Sequence, residues 1–132
     1  MNVEKLEFEI KGDERGSLIA IEQLKDVPFE IKRAYFIYDT KNDIARGFHA
    51  HKNLEQVLIC VNGRCSIKVD NVKNQKIIEL DKPNQGLHIS KNIWREMFNF
   101  SEDCVLLVLA SEYYDKNEYI YDYDEFRTHI DL

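Results

Sequence analysis

Cysteine is scarce: Cys60, Cys65 and Cys104 are an odd number with no C-x-x-C pair among them. The missing spacing argues against a thioredoxin-like redox role. Each cysteine sits in an apolar, strand-like run, where buried and reduced thiols are expected. Positive charge is also short, with 18 Lys and Arg against 24 Asp and Glu and a net charge of −6. A nucleic-acid surface needs a basic patch to release counterions, so that class is excluded, while single arginines remain available for a small anion. No apolar run approaches the length of a membrane-spanning helix. The first residues, Met1-Asn-Val-Glu-Lys-Leu-Glu-Phe-Glu9, alternate charge with apolar side chains and lack the apolar stretch of a signal peptide. A cytoplasmic location is expected, with neither membrane nor nucleic acid as partner. Low-complexity tracts, internal repeats and flexible linkers are absent too. The 132 residues suit one domain, read as residues 1–132.

What is present is strand pattern. Period-two alternation and short β-branched or aromatic runs, bounded by Gly, Asn, Asp or Pro, predict an all-β chain. The expected strands are Lys5–Ile10, Ser17–Glu22, Lys32–Tyr38, Arg46–His51, Glu55–Val61, Arg64–Asp70, Gln75–Leu80, Gly86–Ile89, Trp94–Phe100 and Cys104–Ala110. So many short strands suggest a sandwich or a jelly-roll β-barrel. Val61-Asn-Gly-Arg64 carries the pair favoured in type I′ turns, which predicts that the strands on either side pair as a hairpin. Only the tail departs from the pattern. Tyr123, Phe126 and Ile130 recur at three- and four-residue spacing, as in a short C-terminal helix over Asp122–Ile130.

The chemistry concentrates in Arg46-Gly-Phe-His-Ala-His51. On a strand His49 and His51 project from one face, and each ring has two nitrogens that need partners. The motif H-x-H followed by Glu55 resembles the first metal-binding motif of the cupin superfamily. A transition-metal site would recruit a further histidine from a later strand, yet Arg95 stands there in Ser90-Lys-Asn-Ile-Trp-Arg-Glu-Met97, and a guanidinium cannot ligate a cation. His88 fits that place poorly by its spacing. A site without metal or other cofactor is therefore preferred. Two other readings stay open: a metal-dependent cupin enzyme using His49, His51 and Glu55, and a noncatalytic sugar-nucleotide-binding cupin.

Without a metal the imidazoles must move protons, which suits abstraction next to a carbonyl. The enediolate so formed needs fixed donors, for which Arg15, Tyr35 and Arg95 are the candidates. Arg33 and Arg46 lie inside strand-like runs, and either a diphosphate or a neighbouring carboxylate would satisfy them.

The blocks Asp13-Glu-Arg-Gly-Ser-Leu-Ile-Ala-Ile-Glu22, Pro28-Phe-Glu-Ile-Lys-Arg-Ala-Tyr-Phe-Ile37, Arg46-Gly-Phe-His-Ala-His-Lys-Asn-Leu-Glu-Gln-Val57 and Leu109-Ala-Ser-Glu-Tyr-Tyr-Asp115 resemble the sugar-nucleotide 3,4-ketoisomerases, WxcM-like small cupins. The resemblance implies a jelly-roll homodimer that exchanges N-terminal strands and needs no metal. It implies conversion of dTDP-4-keto-6-deoxy-D-glucose to its 3-keto isomer, with the family's paired histidines matched by His49 and His51. Arg15, Arg33, Tyr35 and Arg46 match other motif residues. The product would pass to a PLP-dependent sugar aminotransferase, toward dTDP-3-amino-3,6-dideoxyhexoses of surface glycans. Galacto-type members carry Trp-His-Glu-Met where this chain has Trp94-Arg-Glu-Met97, whereas the Arg15 block follows the galacto pattern, and the galacto product is preferred on that block.

Overall fold

A computed structural model describes residues 1–131. Its strands, all antiparallel within the sheets, are β1 (Val3–Glu7), β2 (Lys11–Asp13), β3 (Gly16–Leu18), β4 (Arg33–Ile37), β5 (Arg46–His51), β6 (Gln56–Asn62), β7 (Cys65–Asp70), β8 (Gln75–Leu80), β9 (Gln85–Ile89), β10 (Trp94–Phe98), β11 (Val105–Ala110) and β12 (Tyr119–Ile120). Helix α1 (Tyr123–Asp131) follows. One sheet has the order β1-β9-β6-β11-β4 and the facing sheet β12-β5-β10-β7-β8, while β2 and β3 form a separate hairpin. This is the cupin-like jelly-roll arrangement that the strand pattern predicts.

The alternation of each strand divides its side chains between two environments. Leu58 and Cys60 of β6, Leu106 and Val108 of β11, Leu87 and Ile89 of β9, and Ile67 and Val69 of β7 all point between the sheets and form the main core. The opposite faces are covered as well. Val57, Ile59 and Leu109 lie outward beneath Phe8, Val27 and Phe29 from the N-terminal region. On the other sheet Ala50 and Trp94, with Ile120 of β12, lie beneath Phe126 of α1. Asp122 caps α1 by accepting from the Glu125 N–H at 3.0 Å. Burying the Phe126 side chain contributes roughly 1.5–3 kcal/mol and holds the helix against the back of β5. Ala50, with no exposed surface, lets the helix approach that strand closely.

Three expectations need correction. Glu55–Val61 and Arg64–Asp70 do not pair as a hairpin: β6 pairs with β9 and β11, β7 with β8 and β10, in opposite sheets. Within the Asn62-Gly63 turn only Gly63 has positive φ, at 71°, so the type I′ geometry is not adopted. Asn62 instead donates to the Asp103 carbonyl at 2.9 Å and the Arg64 N–H to Ser101 Oγ at 2.9 Å, which leads the chain across the end of the barrel. The segment Ser17–Glu22 is a strand only to Leu18. Beyond it Ile19 and Ile21 leave the sheet and pack on the outer apolar layer. The first strand lies at Val3–Glu7 rather than Lys5–Ile10 and pairs with β9 of its own chain.

Candidate functional site

Interior-facing positions at one end of the barrel are polar where the rest are apolar. His49 and His51 come from β5, Arg95 from β10, Gln56 from β6, and Arg33 and Tyr35 from β4. Pairing of β5 with β10 sets Arg95 opposite His49, and β12 sets Tyr119 beside His51. The β5–β10 register shifts next to this pair, because Phe48 is an extra residue on β5. Both residues of this bulge have positive φ, Gly47 at 92° and Phe48 at 56°. A Cβ on Gly47 would also come within 3.0 Å of the Arg95 carbonyl oxygen, so glycine is required there. Strain at Phe48 is typical of bulges that re-aim a side chain beside a working site.

The two histidine rings lie edge to face with centroids 4.8 Å apart, and the Tyr119 ring is 4.4 Å from His51 and 5.1 Å from His49. Burial first, then the Arg95 charge, lowers the His49 pKa from 6.5 to about 4. The same two causes lower His51 strongly. Both rings are thus neutral at physiological pH. The Gly47 backbone works weakly against these two causes at His49, and His49 Nε2 has no protein partner. A neutral ring that carries its proton on Nδ1 keeps its lone pair on Nε2, the nitrogen a base uses.

Arg95 is 1% exposed. Burial lowers its pKa to about 10, which still leaves it a cation. Its Nη1 donates to Gln56 Oε1 at 2.6 Å and its Nη2 to the Ile93 carbonyl at 2.9 Å. Among the described residues no carboxylate pairs with Arg95, Arg33 or Arg46. Gln56 then donates from Nε2 to the Tyr35 hydroxyl at 3.0 Å. The direction of this chain is forced. Arginine only donates, so the Gln56 oxygen must face it and the Gln56 amide must donate to Tyr35. Tyr35 therefore accepts there and keeps its own proton free for another group. Burial, and then Tyr119, raise the Tyr35 pKa above 10, so that proton stays on.

Arg33 lies over the Tyr35 and Tyr114 rings at 5.1 and 5.5 Å and donates to the Tyr119 hydroxyl at 3.4 Å. Exposed Arg46 stands at the mouth, where a cleft of about 360 Å³ is lined by Tyr35, Arg46, His49, Tyr119 and Tyr121 among others. Arg33 Nε, Arg95 Nε, His49 Nε2 and both His51 ring nitrogens are buried without a protein partner. Buried polar atoms are nearly always satisfied, so this concentration marks a place for a polar, anionic ligand.

Arg15 is not brought to this site. It lies on the β2–β3 hairpin, paired with Asp13, its side chain 86% exposed. Glu55 is also elsewhere, since it accepts from His88 Nε2 at 2.8 Å and His88 is register partner of the outward-facing Val57. The residues thus do not fit the metal that cupins of the H-x-H type bind. His49 and His51 remain, but Glu55 is engaged on the outer face and a guanidinium occupies the place of the third ring.

Sequence reasoning overlooked Gln56, Tyr119 and Tyr121. Tyr119 and Tyr121 stack with centroids 5.4 Å apart. Their alternation with Ile120 was a readable strand signal. Gln56 gave none beyond a polar residue opening an apolar run.

The family model described as FdtA: WxcM-like, C-terminal matches residues 1–131. The chain belongs to this WxcM-like family. A relative, the TDP-4-oxo-6-deoxy-alpha-D-glucose-3,4-oxoisomerase of Aneurinibacillus thermoaerophilus, is 53% identical over 118 residues, 89% of this chain and 85% of that one. Among solved structures, a 3,4-ketoisomerase from Helicobacter canadensis superposes with a TM-score of 0.98 at 57% identity, covering 100% of this chain and 99% of that one. A His-to-Asn mutant of the 3,4-ketoisomerase from Thermoanaerobacterium thermosaccharolyticum, in complex with TDP-4-keto-6-deoxyglucose, gives 0.96 at 49% identity over 98% and 94% of the two chains. These relatives and neighbours are named as 3,4-ketoisomerases or the equivalent oxoisomerase.

The depressed His49 pKa has a measurable consequence for this member. Folding holds the ring at about 4 against 6.5 when exposed, so between those values the unfolded chain binds more protons than the folded one. Stability from this group is intact above pH 6.5 and is lost as pH falls toward 4, by roughly 3 kcal/mol. Urea unfolding of wild type and His49→Asn between pH 7 and 4 should show the variant losing about that much less. Equal losses would refute the buried neutral ring.

Proposed function

We propose that this protein is a TDP-4-keto-6-deoxyglucose 3,4-ketoisomerase that moves a proton from C3 to C4 through an enediolate. The observation that carries the reading is Arg95, a fully buried cation with no carboxylate partner, beside two neutral buried imidazoles. Such a site is complementary to a charge that develops during reaction rather than one already present. The relatives' named substrates support the nucleotide sugar.

His49 is assigned as the base, through Nε2, and His51 as the second ring on the proton's route to C4. The proton taken from C3 makes His49 an imidazolium, whose N–H exchanges with solvent, and a proton then passes through His51 to C4, leaving both rings neutral. Arg95 and the free hydroxyl proton of Tyr35 hold the negative charge shared by O3 and O4. The substrate's own C3 hydroxyl proton crosses from O3 to O4, and Tyr35 keeps its proton. Arg33 and Arg46 bind the diphosphate bidentately at the mouth. No step needs a cofactor.

A homodimer completes the picture, with the N-terminal hairpin of a second copy bringing Arg15 over the cleft. A nucleotide-sugar substrate fits a cytoplasmic enzyme whose 3-keto product feeds a PLP-dependent aminotransferase. Among the described residues no helix is long and apolar enough to cross a membrane.

Incubation with TDP-4-keto-6-deoxyglucose in D2O, followed by NMR, should show 3-keto sugar signals and deuterium at C4. An unchanged spectrum would sink the reading. Repeated in H2O, where C4 receives a proton, the H4–H5 coupling of the product tests the galacto configuration, for which the Arg15 block is the support.

A further inference from the structure

The barrel interior has a second chemical end. Inward-facing positions of β6 run Gln56, Leu58, Cys60, so Cys60 lies about 13 Å along the strand from Gln56, away from the histidines. There it meets Cys65, the first residue of β7, and Cys104, just ahead of β11. All three are free and buried. Their sulfurs lie within 4.8 Å of one another, Cys60 and Cys104 at 3.6 Å. The crossing turn at Asn62-Gly63 brings them together, since it joins two sheets rather than two paired strands.

Two sulfurs on one ion at about 2.3 Å sit roughly 3.8 Å apart at the tetrahedral angle and closer in a pyramidal tris-thiolate, so the trio needs to close by about an ångström or somewhat more. Thiolates select thiophilic ions. The surroundings choose among these by charge. The three cysteines belong to the main apolar core, with Leu106 the register partner of Cys60 and Leu80 of Cys65, and among the described residues no imidazole or carboxylate joins the cluster. Three thiolates around a monovalent or divalent ion leave net negative charge, which is unfavourable in an apolar interior. A trivalent ion leaves none. Zinc would also want a fourth ligand.

We propose that Cys60, Cys65 and Cys104 form a binding site for one trivalent thiophilic ion of the arsenite class. Arsenous acid and three thiols give the tris-thiolate and three waters. Arsenic stays trivalent, so no oxidant or reductant is needed. The bound ion would tie β6, β7 and the approach to β11 together at the end opposite the histidines. Ketoisomerase turnover should accordingly persist while thermal stability rises.

Native mass spectrometry of the reduced full-length protein with sodium arsenite tests this. The expected adduct is one arsenic replacing three hydrogens, with a raised Tm. Cys104→Ser and Cys104→Ala, used together in case one folds poorly, should lose that adduct and the Tm rise. An unmodified mass, an adduct that survives either variant, or a lowered Tm from capture of the unfolded chain would each overturn the proposal. Displacement of arsenite by an equal concentration of zinc would overturn its selection by charge.

Discussion

Replacing His49 with Asn should lower kcat by roughly 10²–10⁴-fold, the usual contribution of a positioned general base, while TDP still binds. Asn is polar and smaller than His and leaves the backbone of the bulge at Phe48 untouched, but it has no basic nitrogen where Nε2 stood. The neutral state of His49 is what makes the loss large. With its pKa at about 4 the ring is fully available as a base at neutral pH, and no fraction of the wild-type enzyme waits in a protonated, idle form. The imidazolium formed after abstraction is held beside Arg95 and is therefore a strong acid, ready to release its proton toward C4. NMR turnover together with calorimetric binding of TDP separates chemistry from affinity. Turnover within tenfold of wild type, with binding intact, would remove His49 from the base role. His51→Asn should also lose turnover, since His51 carries the proton onward.

Much of this arrangement is legible in the chain because strand alternation is a local property. β5 and β8 match their expected bounds, and the inward parity of His49, His51 and Arg95 follows from period two alone. The helix at Tyr123–Asp131 is legible for the same reason, through its three- and four-residue spacing. Pairing partners are not local. The Asn-Gly dipeptide marks a turn, but which sheet receives the next strand depends on Ser101 and Asp103, almost forty residues later. Gln56 was overlooked because its role lies entirely in what it joins: an amide is unremarked in sequence until a guanidinium on one side and a phenol on the other fix its direction. The mistaken grouping of Glu55 with the histidines has the same origin. One residue before Gln56, it faces the opposite side of the sheet and meets His88.

Arg15 is the remaining case, and its place depends on a second copy. Lys11–Leu18 forms a hairpin that pairs only with itself and leaves every residue exposed. A short, isolated hairpin is marginally stable in water, and Leu18 on it and Ile10 just before it are exposed at 58% and 51%. β4 ends its sheet with one free edge, near which Phe36 and Tyr38 are exposed at 61% and 60%. An unpaired edge of this kind is a template for another chain. With the hairpin of one copy lying over the cleft of the other, each site would hold its own His49 and the partner's copy of the arginine. Arg15→Ala alone should then lose roughly 10–100-fold in turnover, the worth of a charge-assisted hydrogen bond to the reacting sugar or diphosphate. Arg15→Ala and His49→Asn proteins, refolded together in equal amounts, should recover about a quarter of wild-type activity, because half the two-fold dimers are mixed and each has one intact site. If each chain used its own Arg15, no mixed dimer would contain a complete site, and activity would stay at the mean of the two parents.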